Sequence, residues 1–218
     1  LRQGESAELS VCCFDQKGNP VLPESVSVRS AEGRMRWDGT GGRALRAGED
    51  TAEIDVCCKG VNRHRRLSFS VVPQSWREVP VCNVGGCGGR AFADGKERVL
   101  YSDGANIWFD RDNFTAAELS EGESVCAVLE SLHAVHADSQ AGLVMRASAD
   151  EGAQSVNLRA DASGKVMIAV RGETGGQTRC VFEAKAAFPL QMQLKRESGR
   201  LIARVDGRDP KSGFRQLF

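Results

Sequence analysis

The side chains best suited to recognition chemistry lie in the C-terminal half, where three segments alternate apolar and polar residues. If Ala141, Leu143 and Met145 point inward, Arg146 points outward. The same pleat sends Asn157 and Arg159 outward from Val156 and Leu158, and Arg171 outward from Ile168 and Val170. Four hydrogen-bonding side chains on one sheet face can donate to sugar hydroxyls or pair with a uronate or sulfate. The competing reading is an ordinary solvated face. A sugar platform also needs exposed aromatic rings, and with three Trp and one Tyr in the chain the candidates are Tyr101 and Trp76.

A second group is Asp110, Asp112 and Asn113, whose oxygens at near-alternating positions could hold calcium. No glycine and distant glutamate follow in the register of an EF-hand, and capping of a turn by Asp and Asn is the alternative. Trp108 and Phe114 flank this group and read as core aromatics. His64, His133 and His136 are scattered through polar segments, and zinc would need four converging ligands. The chain has no Gly-x-Ser-x-Gly elbow, no His-Glu-x-x-His and no phosphate loop. The glycine-rich run 85–89 lacks the lysine and the following helix that a phosphate loop requires. Glu118, Glu121 and Glu123 sit in a loop rather than at i, i+2 on a strand, which disfavours a pair of glycosidase carboxylates. No enzyme is expected, and no cofactor beyond calcium.

The elements that must position these groups are short strands. Glycine occurs 24 times, turn signals recur about every ten residues, and leucine-rich stretches of helical period are few, so the expected class is all-β. Residues 7–14 alternate as a half-buried strand, 15–20 form a turn, and strands follow near 26–29, 51–59 and 67–72. Residues 74–96, with Pro80 and the pairs Gly85-Gly86 and Gly88-Gly89, read as a linker. Strands resume over 124–129, 141–147, 155–160, 165–171, 179–183, 190–196 and 201–205, with hairpin-turn chemistry at 161–164 and 197–199. Basic and acidic residues both number 29, so no bulk field draws nucleic acid. No apolar run approaches the roughly 20 residues of a membrane helix. Starting at Leu1 and lacking a signal-like segment, the chain reads as an internal piece with neighbouring domains.

Residues 4–73 resemble a bacterial Ig-like module, through 4–11, the strand-turn 15–20 and Ala47-Gly48 followed by 51–54. Val28 stands where many members have a core Trp. Residues 97–208 are similar to a concanavalin A-like jelly-roll family attached to secreted bacterial glycosidases, β-xylosidases among them. The likeness is carried by 105–108, 112–114, 141–146, Gly164-Lys165-Val166 and Arg171. It implies a division into a sandwich at 1–73, a linker at 74–96 and a jelly roll at 97–218. It also implies a secreted or surface location and a non-catalytic carbohydrate-binding or spacer role. The alternatives are an adhesin-type stalk with a protein partner and a glycosidase remnant. Members usually continue one or two strands beyond the equivalents of Arg204 and Val205, and no such continuation is legible in 209–218.

An Ig-like topology would place the strands of Cys12-Cys13 and Cys57-Cys58 in opposed sheets. Alternation groups Cys13 with Leu9 and Val11, and Cys58 with Ile54 and Val56, so Cys13 and Cys58 would bridge the sheets. Such a bond adds about 2 to 4 kcal/mol. Buried free thiols are the alternative. Cys82 with Cys87, and Cys126 with Cys180, are weaker pairings among about 105 that eight cysteines allow.

Overall fold

A computed structural model describes residues 1–117, 122–134, 136–207 and 215–216. Among them the fold is all-β, with no helix. In chain order the strands are β1 (Ser6–Glu8), β2 (Cys13–Phe14), β3 (Pro20–Val21), β4 (Ser25–Ser30), β5 (Met35–Asp38), β6 (Gly41–Ala44), β7 (Gly48–Cys58), β8 (Val61–Val71), β9 (Arg77–Val79), β10 (Val81–Val84) and β11 (Gly89–Ala93). They continue with β12 (Arg98–Ser102), β13 (Asn106–Trp108), β14 (Arg111–Ala117), β15 (Ser124–Leu129), β16 (Gln140–Arg146), β17 (Ser155–Asp161), β18 (Lys165–Arg171), β19 (Arg179–Lys185), β20 (Leu190–Glu197), β21 (Arg200–Gly207) and β22 (Arg215–Gln216). The chain forms two compact units, Leu1–Glu78 with Phe92–Val99, and Val79–Ala91 with Leu100–Phe218.

The first unit holds the antiparallel sheets β4-β7-β8 and β1-β6-β5. Its small core is Met35, Ala44 and Val71, with Leu1, Ala7, Trp37 and Phe69 packed against it. β7 and β8 are joined through Lys59 (φ 49°) and Gly60 (φ 70°), two left-handed residues as a tight hairpin turn requires. The strand expected over 7–14 is interrupted: β1 pairs with β6, β2 pairs with β3, and the intervening residues leave the ladder while the alternation of burial persists. Asp50 is buried and accepts hydrogen bonds from the Ser30 hydroxyl and from the backbone N–H groups of Glu32, Arg34 and Thr51. It thereby shapes the turn between β4 and β5. Asp50→Ala would strand these donors and is expected to lower stability by about 2 to 3 kcal/mol, measurable by urea unfolding.

The second unit is built on two four-stranded antiparallel sheets, β16-β17-β18-β19 and β15-β20-β21-β22. One contiguous core holds Leu143, Leu158, Ala160, Val166 and Ile168 from the first, with Leu190, Met192, Leu194, Ala203 and Val205 from the second. The inward set is the one that period-2 alternation selects. The Asp161 carboxylate accepts the N–H groups of Ser163 and Lys165, and Gly164 (φ 82°) closes the β17–β18 turn. Ser198 (φ 50°) and Gly199 (φ 74°) close the β20–β21 turn. The missing continuation beyond Val205 is corrected: β22 pairs with β21 through Arg204↔Gln216 and Val205↔Arg215.

The expected linker is corrected as well, since residues 74–96 contain β9, β10 and β11. Ala91 and Phe92 are fully buried. The glycines there serve close approach rather than flexibility. A Cβ on Gly85 (φ 70°) would collide with the Asp112 carbonyl, and one on Gly89 with the Thr115 side chain. Gly86 has a similar φ of 77° but open space around it. Gly86→Ala should therefore cost about 1 kcal/mol of left-handed strain, and Gly85→Ala about 3 kcal/mol or more once the collision is added. Paired thermal melts check the difference.

Candidate functional site

The β13–β14 hairpin positions the site. Asn106 pairs with Asn113, Ile107 with Asp112 and Trp108 with Arg111, leaving Phe109 and Asp110 at the tip. Phe109 has φ 50° and is 59% exposed, a left-handed conformation uncommon for a bulky residue. Its backbone bridges to Thr178, whose N–H donates to the Phe109 carbonyl at 2.7 Å.

The structure places Arg146, Asn157, Arg159 and Arg171 on the non-core face of β16-β17-β18, as the alternation required, but not in solvent. Asn157, Arg159 and Arg171 are buried and Arg146 nearly so. The expectation of an open platform is thus corrected. The alternation fixes which face a side chain takes, whereas the hairpin that covers the face comes from a segment some 30 to 60 residues earlier.

Asp112 is the centre of this layer. Its oxygens accept from Arg171 Nη1 at 2.7 and 2.8 Å, from Arg146 Nη2 at 2.8 Å and from the Gly152 N–H at 2.9 Å. Burial pushes the carboxyl up, but hydrogen bonds from Arg146, Arg171 and Gly152 outweigh it and hold the group below its ordinary value. Arg171 directs Nε to the Gly176 carbonyl and Nη2 to the carbonyls of Phe109 and Arg111, fastening the hairpin tip to the sheet. Arg146 donates to the carbonyls of Ser148 and Asp150 and lies 5.0 Å from the Phe114 ring centroid.

Arg159 differs. Nη1 donates to Asn106 Oδ1 at 2.9 Å and to the Ile107 carbonyl at 3.1 Å, and the guanidinium lies 5.6 Å from the Trp108 ring centroid. No carboxylate pairs with it among the described residues, and its buried Nε has no hydrogen-bond partner. Burial lowers its proton affinity, partly offset by the Cys180 thiol. Trp108 meets Phe109 edge-to-face at 5.9 Å. Sequence reasoning missed Asn106, Phe109 and Gly142, although a glycine at an outward position of β16 breaks the alternation and is itself a signal of close approach.

The other candidates fall elsewhere. Of the calcium candidates, Asp112 binds two guanidinium groups, which repel a cation. Asn113 accepts from the Ala105 N–H and donates to the Gly85 carbonyl, so it braces two other segments against β14. Tyr101 lies on β12, in another sheet than the arginines, and Trp76 belongs to the first unit. Glu118 and Glu121 lie outside the described residues. Among the described residues no three His, Cys, Asp or Glu side chains are grouped to hold a metal.

All eight cysteines are free thiols, which corrects the expected bridge between Cys13 and Cys58. The alternation still brought the right two together. Loss of hydration, then a hydrogen bond with the Cys13 thiol, raises the Cys58 thiol from its ordinary value. Both are half-buried rather than in the core, because β2 pairs only with β3. An open groove of about 380 Å³ crosses the outer face of β4-β7-β8, lined in part by Ser27, Cys57 and Asn62, with His64 Nδ1 2.8 Å from Asp55 Oδ1.

No protein family, curated protein or solved structure matches the chain.

Proposed function

We propose that the chain is a non-catalytic carbohydrate-binding region of a larger secreted or surface protein. In this reading the first unit is an Ig-like spacer and the second a concanavalin A-like sandwich that contacts glycan. The observation that carries the reading is an aromatic pair beside the arginine layer. Phe109 is largely exposed, Trp108 packs against its edge, and Arg159 and Arg171 both hydrogen-bond the backbone of this hairpin. Aromatic rings next to hydrogen-bonding groups are what a sugar face and its hydroxyls require. The left-handed Phe109 fits the same reading, since backbone strain held in place by surrounding contacts accumulates at binding sites.

Pull-down with insoluble polysaccharides tests it. Phe109→Ala is expected to weaken retention at least tenfold while leaving the urea midpoint within the range of an exposed substitution, about 0.5 kcal/mol. Retention of no polysaccharide by the folded chain would transfer the assignment to a structural stalk.

A further inference from the structure

We propose that the free edge of β8 is a strand-addition site that takes an acidic, extended peptide segment of another protein. The site lies in the first unit and stands independently of the glycan-binding reading.

β8 is the terminal strand of the β4-β7-β8 sheet, and its ladder is with β7. The direction of its backbone groups is fixed at the C-terminal end. The Ser70 carbonyl accepts from the Leu1 amino group at 3.3 Å. Just past the strand, the Val72 N–H donates to the Leu1 carbonyl at 2.8 Å and the Val72 carbonyl accepts from the Gln3 N–H at 2.9 Å. Residues 1–3 thus already lie against this edge, Arg2 bridging Val72 in parallel.

Groups in an antiparallel ladder turn to alternate sides, which puts the N–H and C=O of Asn62, His64, Arg66 and Ser68 on the same edge as those of Ser70. Their partners on β7 agree. Cys57, opposite Asn62, and Thr51, opposite Ser68, turn their carbonyls away from β8 to the N–H groups of Glu24 and Ala31. Among the described residues no other strand pairs with this edge, and residues 61–66 are all exposed. The Asn62 and His64 carbonyls are met only by Nη1 of Arg63 at 3.4 Å and of Arg65 at 3.1 Å, exposed side chains that an incoming N–H can displace. A row of open backbone groups of this kind is a template for an added strand.

Charge selects which strand. On one face of β8, His64 is paired with Asp55 and Arg66 with Glu53. Arg63 and Arg65 lie two apart on the other face, opposite Val56 and Ile54, and make no ion pair among the described residues. A partner strand with Asp or Glu at i and i+2 sets a carboxylate beside each of them. A second copy is the poorer occupant, because edge-to-edge pairing about the middle of β8 sets Arg63, Arg65 and Arg66 against the same residues of the other chain.

The test is fluorescence anisotropy of the intact chain with a labelled, end-blocked heptapeptide alternating glutamate and valine, beside versions carrying glutamine or lysine in place of glutamate. It is repeated on the double variant Arg63→Gln with Arg65→Gln, whose native urea transition is checked. Saturable binding of the glutamate peptide is expected, at least tenfold weaker for the glutamine peptide and for the double variant, and none for the lysine peptide. Amide hydrogen exchange should slow at Asn62, His64, Arg66 and Ser68 when the glutamate peptide is bound. Binding without that protection would overturn strand addition, and equal binding of the lysine peptide would overturn the charge selection. No binding of any peptide to the folded chain would overturn the site, and a dimer of the free chain that protects the same amides would assign the edge to a second copy instead.

Discussion

Asp112→Asn is expected to destabilise the second unit by about 3 to 5 kcal/mol, the loss that follows when one partner of a buried ion pair is removed and the other charge remains. The effect is large because Asp112 serves two arginines at once and neither has another carboxylate among the described residues. Arg171 also fastens the carbonyls of Phe109, Arg111 and Gly176 through its remaining nitrogens, so a disturbed Asp112 loosens the hairpin tip as well as the charge pair. Urea unfolding at neutral pH measures the loss. The same carboxylate sets the acid response. Its folded pKa lies below the ordinary 3.8, so in acid the unfolded chain binds its proton first and stability rises with pH in that window. The contribution is complete above the unfolded value and disappears as pH falls through the lower folded one. Asp112→Asn should therefore remove part of the decline in stability below about pH 4, visible as a flatter profile of urea midpoint against pH.

Leu158→Ala should be comparably severe, at about 2 to 5 kcal/mol. Leu158 is completely buried in the core between the two four-stranded sheets, and its neighbours Asn157 and Arg159 are committed to the opposite face, so the strand cannot rotate to close the cavity. Val181→Ala on β19, where the side chain is mostly exposed, should change stability by less than about 0.5 kcal/mol. The same urea transition read for both variants separates cavity formation from a general sensitivity of the sheet.

These expectations show where sequence was informative. Ser124–Leu129 and Lys165–Arg171 are strands with the expected bounds, because the turn-forming residues on either side are written directly into the chain. The faces of Arg146, Asn157, Arg159 and Arg171 were equally legible. Their burial was not, because it depends on Asp112 and Phe114 arriving from another strand, and pairing over 34 or 59 residues leaves no local trace. Glycine misled the reading of 74–96 for a related reason: Gly85 and Gly89 resemble linker residues in sequence, yet each is required by a neighbour that packs against its missing Cβ. Asp112 was noticed for its oxygens, as a turn cap or a calcium candidate, while its two guanidinium partners left no local trace.

The most direct test of the arginine layer around Asp112 is the arginine side-chain Nε–H spectrum of the intact chain, compared with that of Asp112→Asn. Arg146 and Arg171 should give slowly exchanging resonances in the native chain, held through Ser148, Gly176 and Asp112, that shift or exchange faster in the variant. Rapid exchange of both in the native chain, or spectra unchanged by the substitution, would contradict a buried layer organised by one carboxylate.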